Sequence, residues 1–211
     1  MILVAAVMVA IVAVTTWMAD WEPIPDVEVD VFRAINDLPG GLEIPLWLPM
    51  QFGAVAAVPI TTIAALYFWR RRLERPAAVL AAGVAAWLLA KVLKEIPTRG
   101  RPATYLDDVE LRGGSIGGGH NEGLGFPSGH AAVAFALATV LCPYLPPRWR
   151  LVPFAAAVIV GFGRMYFGAH LPLDIVGGAA FGVLLGLAAL WGAKRYEDRS
   201  GTTRAMAATD R

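Results

Sequence analysis

Charge is scarce in this chain. Of its 211 residues only 17% are Asp, Glu, Lys or Arg, while 57% are hydrophobic and the mean hydropathy is +0.56. Soluble domains carry about 25% charged residues, so an ordinary water-soluble globule is excluded. Cysteine is nearly absent. Cys142 stands alone inside an apolar run, which rules out an intramolecular disulfide and reads as a small packed residue. Neither sign of charge dominates, the formal net charge being +1. No basic patch with interleaved aromatics is present, so nucleic acid is not an expected partner. What the chain has instead is apolar length, and its class is an all-α integral membrane protein.

Six runs have the length and composition of membrane helices. Residues 1–18 carry no charge. They also lack the basic start of a cleaved signal peptide and precede further spans, so the expectation is a retained first helix. Residues 45–69 form a second uncharged run, closed by aromatics and "RRRLER". The third covers 76–93, with Lys91 placed to snorkel towards an interface. The fourth covers 128–146, the fifth 151–168 and the sixth 172–193. Arg164 and Asp174 mark the last two near their ends, where a charge is least costly. The expected organisation is one six-helix transmembrane domain over 1–193 and a disordered cytoplasmic tail over 194–211.

Lysine and arginine set the orientation. Arg70, Arg71, Arg72 and Arg75 lie in one link, Arg148 and Arg150 in another, and Lys194 and Arg195 open the tail. With six spans these share the cytoplasmic side, as do both termini. The opposite side receives segment 19–44, rich in Asp and Glu with Arg33 as its single cation. Val27, Val31 and Ile35 recur there at helical spacing, which suits an interfacial helix.

One loop on that side breaks the rule. It carries Lys94, Arg99, Arg101 and Arg112, as cations awaiting an anion would. The glycine-rich "RGGSIGGGHNEGLGF" follows. No Gly-Lys-Ser/Thr completes it and no strand precedes it, so it is no phosphate-binding P-loop. It reads as a connector in which His120 and Glu122 are solvated.

Three places carry chemistry. In "KEIPTRGRP", Lys94 ends a helix and Arg101 follows seven residues later; both are donors suited to phosphate oxygens, though a basic helix flank looks the same. In "PSGH", Ser128 stands at an N-cap, where the free N–H groups of a helix start and its dipole attract an anion. His130 would sit in the first turn; a plain capped helix is the alternative. In "GRMYFGAHLPLD", Arg164 lies in a hydrophobic helix, where a charge costs a few kcal/mol and implies a partner. His170 and Asp174 are four apart on one helix face, so the carboxylate can orient the imidazole. A metal pair or a structural bridge has the same spacing, but the nearby cations disfavour a metal ion.

By this topology all these residues reach one membrane face. Two histidines, a carboxylate, three cations and a helix start together suit phosphoryl transfer through a phosphohistidine.

"K-x6-RP", "PSGH" and "R-x5-H-x3-D", in this order over residues 94–174, resemble the three signature motifs of the type 2 phosphatidic acid phosphatase superfamily. That family includes lipid phosphate phosphatases, polyprenyl diphosphate phosphatases, soluble acid phosphatases and vanadium haloperoxidases. The resemblance implies that Lys94, Arg101 and Arg164 hold phosphate oxygens, with Ser128 and Gly129 adding a hydroxyl and an N–H. It implies His170 as nucleophile, Asp174 as its orienting carboxylate and His130 as general acid and then base. Gly163 stands where the family usually has serine, which removes one possible phosphate donor.

The implied enzyme is a lipid phosphatase of the plasma membrane, with its site on the extracytoplasmic face and the bilayer and a lipid phosphate as partners. No cofactor or metal is implied, because cationic side chains neutralise the phosphate. Family analogy points to undecaprenyl or decaprenyl diphosphate, cleaved to the monophosphate, with phosphatidylglycerol phosphate or phosphatidate as alternatives. An anion transporter would instead show internal repeats and broken helices in both halves, and neither is legible. Haloperoxidase relatives are soluble, unlike this chain.

Overall fold

The computed structural model describes residues 1–113 and 123–209, with backbone alone for 201–209. Gly118, His120 and Glu122 of the glycine-rich connector lie outside the described residues. Among the described residues all regular structure is helical. The main helices are α1 (Ile2–Met18), α2 (Asp26–Asn36), α3 (Glu43–Met50), α4 (Ala57–Trp69) and α5 (Glu74–Lys94). A single turn, α6 (Pro102–Tyr105), precedes α7 (Gly129–Leu141), α8 (Val152–Tyr166) and α9 (Pro172–Thr209).

Local chemistry accounts for several boundaries. Glu74 opens α5 while Lys91 and Lys94 close it, each sign at the helix end whose dipole it complements. Ser128 caps α7, and Pro172 opens α9, where no N–H is needed. Gly168, with φ +74°, stops α8 in the left-handed conformation that lets the chain turn back. Only glycine takes that angle without strain.

The second apolar run departs from expectation. Residues 45–69 are not one helix: α3 and a short 3-10 turn at Gln51–Gly53 meet α4 at a bend of 68°. Pro49 and Gly53 interrupt the ladder, and α4 restarts so that Pro59 falls in its first turn. The sixth helix also runs past residue 193. The segment expected as a disordered tail continues α9 to Thr209, and an Arg72–Glu197 ion pair at 3.8 Å joins it to the α4–α5 link.

Helices α5 and α9 are each long and apolar enough to cross a bilayer, with an 18-residue stretch of mean hydropathy 1.9 within Glu74–Lys94 and one of 2.0 within Pro172–Ser200. The bent pair passes the same test taken together, while Ile2–Met18 and Gly129–Tyr144 are apolar but shorter. Exposed Ile60, Ile63 and Phe68 on α4, with Ile2 and Leu3 on α1, are the apolar surface a bilayer would cover.

The interior is built from small residues. Ala78, Ala82 and Ala86 of α5 and Ala132 and Ala136 of α7 are buried between the helices, with α9 packed against both. Gly178, Gly182 and Gly186 form a stripe on α9 at four-residue spacing. A Cβ on any of them would collide with α7, at the Ser128 carbonyl, the Ala132 carbonyl and the Thr139 side chain respectively. Lipid gives helices no hydrophobic reason to associate, so close backbone approach supplies the contact. Gly182→Ala is therefore expected to destabilise the bundle by about 1–3 kcal/mol, the usual cost of overpacking. Thermal unfolding of the purified protein in detergent measures it.

The interfacial helix expected in segment 19–44 is α2. Its inward face is Glu28, Phe32 and Asn36, all buried, and Val27 and Val31 point outward. Asn36 docks it by donating to the carbonyls of Glu110 (3.0 Å) and Tyr166 (3.1 Å).

Candidate active site

The three motifs converge where α5 and α8 end and α7 and α9 begin. Lys94 closes α5, and its Nζ donates to the carbonyls of Leu124 (2.8 Å) and Gly125 (2.9 Å). An ammonium has three donors, so one remains. Arg101 lies in extended chain just before α6, as its Pro102 neighbour requires. Its Nη1 donates to the Ala169 carbonyl at 3.2 Å, while its Nε is buried without a partner among the described residues.

Ser128 is fully buried, and its Oγ accepts from Ala131 N at 3.4 Å, the N-cap contact expected of "PSGH". His130 falls in the first turn of α7. The Ser128 N–H donates to the Asp174 carbonyl at 3.0 Å, which locks the start of α7 to that of α9. Arg164 is 4% exposed in the last turn of α8, where its Nη1 lies 3.9 Å from the Met50 sulfur.

The turn made by Gly168 returns the chain so that His170 stands over α9. His170 Nδ1 lies 3.3 Å from Asp174 Oδ2, which also accepts from Leu171 N at 3.0 Å. With Nδ1 facing the carboxylate, Nε2 is the ring nitrogen turned away from it. Burial, and after it the positive charges of Arg164, Lys94 and Arg101, push His170 well below the ordinary histidine pKa; a Gly125 backbone contact opposes them. The ring is thus neutral near pH 7, as a nucleophile must be.

A cavity of about 370 Å³ collects these groups. Lys94, Arg101, Gly129, His130, Arg164 and His170 line its polar part, and Met50, Gly53, Ala54, Val55, Trp87 and Ala90 its apolar part. The apolar wall comes from the break between α3 and α4 and from the last turns of α5. Ser128 and Asp174 do not line it; they support Gly129 and His170 from behind. Lys91 reaches the same cavity, with its Nζ 3.9 Å above the Trp87 ring, so it turns inward to an aromatic face rather than only to the interface. A larger cavity of about 430 Å³, between the start of α5 and Ala189–Tyr196 of α9, has neither a histidine nor a cation in its wall.

Two of the four loop cations do not face a ligand. Arg112 donates to the carbonyls of Asn36, Leu38 (3.0 Å) and Tyr166 (2.9 Å), which pins α2 to the end of α8. Arg99 is 2% exposed and pairs with Glu28 Oε1 at 2.7 Å and Asp174 Oδ1 at 3.2 Å. Sequence reasoning missed Glu28, because its tie to the first turn of α9 crosses 145 positions of chain. Gly163 faces Met50, where an added Cβ would sit 3.7 Å from the sulfur in ordinary contact, so a serine there would fit.

Comparison with known proteins places this geometry. Residues 75–197 match the family model of the PAP2 superfamily. A lipid A 1-phosphatase of Rhizobium johnstonii is 37% identical over 102 residues, which are 47% of this chain and 40% of the relative's length. The bacitracin transport permease protein BcrC of Bacillus licheniformis is 26% identical over 81% of this chain and 82% of its own. An undecaprenyl-diphosphatase of Sulfolobus acidocaldarius is 27% identical over 59% and 57%. Among solved structures, LpxE of Aquifex aeolicus superposes with a TM-score of 0.68 at 27% identity, over 80% of this chain and 97% of LpxE. A PAP2-type phosphatidylglycerolphosphate phosphatase of Bacillus subtilis has a TM-score of 0.74 at 21% identity, over 92% and 96%, a likeness of fold. The family match covers more than half of the chain and contains all three motifs, and the chain therefore belongs to the PAP2 superfamily.

Proposed function

We propose that the protein is a membrane lipid phosphatase that works through a phosphohistidine, in a single six-helix domain spanning residues 1–193. The observation that carries this reading is one cavity lined by two histidines, four cations (Lys91, Lys94, Arg101 and Arg164) and a set of apolar residues. A lipid fits that division, phosphate on the cations and tail along Val55, Trp87 and Ala90. Lys94, Arg101 and Arg164 hold the phosphate oxygens, joined by Gly129 at the helix start, while Ser128, expected from its motif to bind phosphate too, is buried behind the cavity and caps that helix.

Nε2 of His170 attacks phosphorus while the bond to the leaving oxygen breaks, and protonated His130 gives that oxygen its proton. Neutral His130 then takes a proton from water as the water oxygen attacks the phosphohistidine. The P–N bond breaks, phosphate leaves and His170 is restored. Asp174 keeps the imidazole aligned throughout.

Within this class a long polyprenyl diphosphate, cleaved to the monophosphate, is the preferred substrate. Its support is the undecaprenyl-diphosphatase among the relatives. The test is phosphate release by purified protein from undecaprenyl diphosphate, phosphatidylglycerol phosphate, phosphatidate and lipid A. Undecaprenyl diphosphate is expected to be hydrolysed fastest, and a clear preference for phosphatidate would reject it. Activity is expected to survive EDTA, since the three cations neutralise the phosphate. Loss in EDTA with recovery in magnesium would overturn that point.

The site is assigned to the extracytoplasmic face of the plasma membrane because the arginine links at 70–75 and 146–150 mark the other side. Asp108 is exposed in the loop on the site's side. With Cys142 replaced by serine, Asp108→Cys is expected to react with an impermeant thiol reagent in intact cells; protection would invert the topology.

The broken α3–α4 run lines the cavity, as discontinuous helices do in transporters. An anion transporter is thus the second reading. Phosphate release in detergent, with no compartments to transport between, separates the two.

A further inference from the structure

Asp174 divides its two oxygens between two tasks. Oδ2 faces His170 and the Leu171 N–H, and Oδ1 lies 3.2 Å from Arg99 Nε. Arg99 in turn meets Glu28 Oε1 at 2.7 Å, and the same Glu28 oxygen accepts from Leu173 N at 2.8 Å. Glu28 therefore grips both the arginine behind Asp174 and the first turn of the helix that carries Asp174. All three ionised groups are under 10% exposed.

We propose that Glu28 is a positioning residue for the phosphate chemistry, acting through Arg99 to hold the Asp174 carboxylate, and so the His170 ring, in its reactive orientation. This rests on the reading of His170 as nucleophile. Arg99 between two carboxylates is compensated from both sides, so its pull on Asp174 is balanced. Without the Glu28 charge, Arg99 becomes a buried cation whose one remaining ion pair among the described residues is with Asp174. The carboxylate is then drawn towards the guanidinium and away from the imidazole. Stability alone does not explain the arrangement, since buried ion networks are often no better than apolar packing of the same volume.

Helix α2 does not depend on Glu28 for its place, because Phe32 is buried beneath it and Asn36 and Arg112 tie it to α8. Glu28→Gln also keeps an oxygen to accept from Leu173 N and removes only the charge.

The experiment measures kcat and KM with farnesyl diphosphate on purified protein in detergent. Wild type, Glu28→Gln, Asp174→Asn and the double variant form a cycle, with His170→Ala as control. Glu28→Gln is expected to lower kcat about 10- to 100-fold, the effect outer partners have on a carboxylate–histidine arrangement, with KM within about threefold. In the Asp174→Asn background it is expected to cost less than about twofold more, because the carboxylate it acts on is gone. A merely structural role would lower kcat by the same factor in both backgrounds, and that result overturns the proposal. So does a Glu28→Gln kcat within about twofold of wild type. Should Glu28→Gln fail to fold, Glu28→Asp keeps the charge but draws it back from Arg99 by one methylene; kcat lowered more than about threefold at unchanged KM supports the proposal, and kcat within about threefold of wild type rejects it. An active His170→Ala control would instead refute the nucleophile assignment, which keeps the two failures apart.

Discussion

Replacing His170 with alanine is expected to abolish turnover, by on the order of 10⁴- to 10⁶-fold, together with any covalent intermediate. The expectation follows from what the ring alone can do. Its Nδ1 is committed to Asp174 at 3.3 Å, it is held neutral by burial and neighbouring cations, and it is the histidine placed against Asp174. Alanine leaves the cations and the cavity in place, so phosphate still binds but nothing attacks it. The measurement is acid-labile label trapped on the protein from a radiolabelled phosphate substrate. Label on His170→Ala would show that another group is the nucleophile. Asp174→Asn is the milder companion: binding persists and attack slows, because the imidazole loses its orienting anion.

The second large effect is at His130, and it differs in kind. His130 lines the same cavity from the first turn of α7, but among the described residues no carboxylate lines that cavity with it to orient it as a nucleophile. In the proposed mechanism it is the general acid, a role worth roughly 10²–10⁴-fold, and again the base when water attacks the phosphoenzyme. His130→Ala is therefore expected to lower turnover by about that range while leaving the nucleophile intact. A good leaving group needs little protonation, so an aryl phosphate is expected to restore the first step but not the second. The phosphohistidine then accumulates. Label trapped on His130→Ala with the aryl substrate is the expected result. If His130→Ala removes all label under those conditions, the two histidines have been assigned in the wrong order.

Much of this protein follows from sequence alone. Apolar length without charge dictates membrane helices, because a backbone in lipid must satisfy its own hydrogen bonds. The three motifs are legible because each is local. Ser128 caps the helix that starts one residue later, and His170 faces Asp174 across one turn, so spacing is enough to pair them. The order of the motifs then places all seven polar residues at one end of the bundle.

Tertiary structure decided what spacing cannot encode. The run 45–69 looks like one span, since each proline and glycine in it is tolerable singly; it bends by 68° where Pro49, Gly53 and Pro59 act together. That bend supplies part of the cavity's apolar lining, Met50, Gly53, Ala54 and Val55. Four cations in loop 94–112 look equivalent as letters, yet Arg99 and Arg112 spend their charge on Glu28, Asp174 and backbone carbonyls, leaving Lys94 and Arg101 at the cavity. Which cation is left for a ligand depends on which anions the fold buries beside it. Glu28 reaches Leu173 from 145 positions away, and no periodicity links them. A buried charge must find its counter-charge wherever packing puts it, so that partner is chosen in three dimensions.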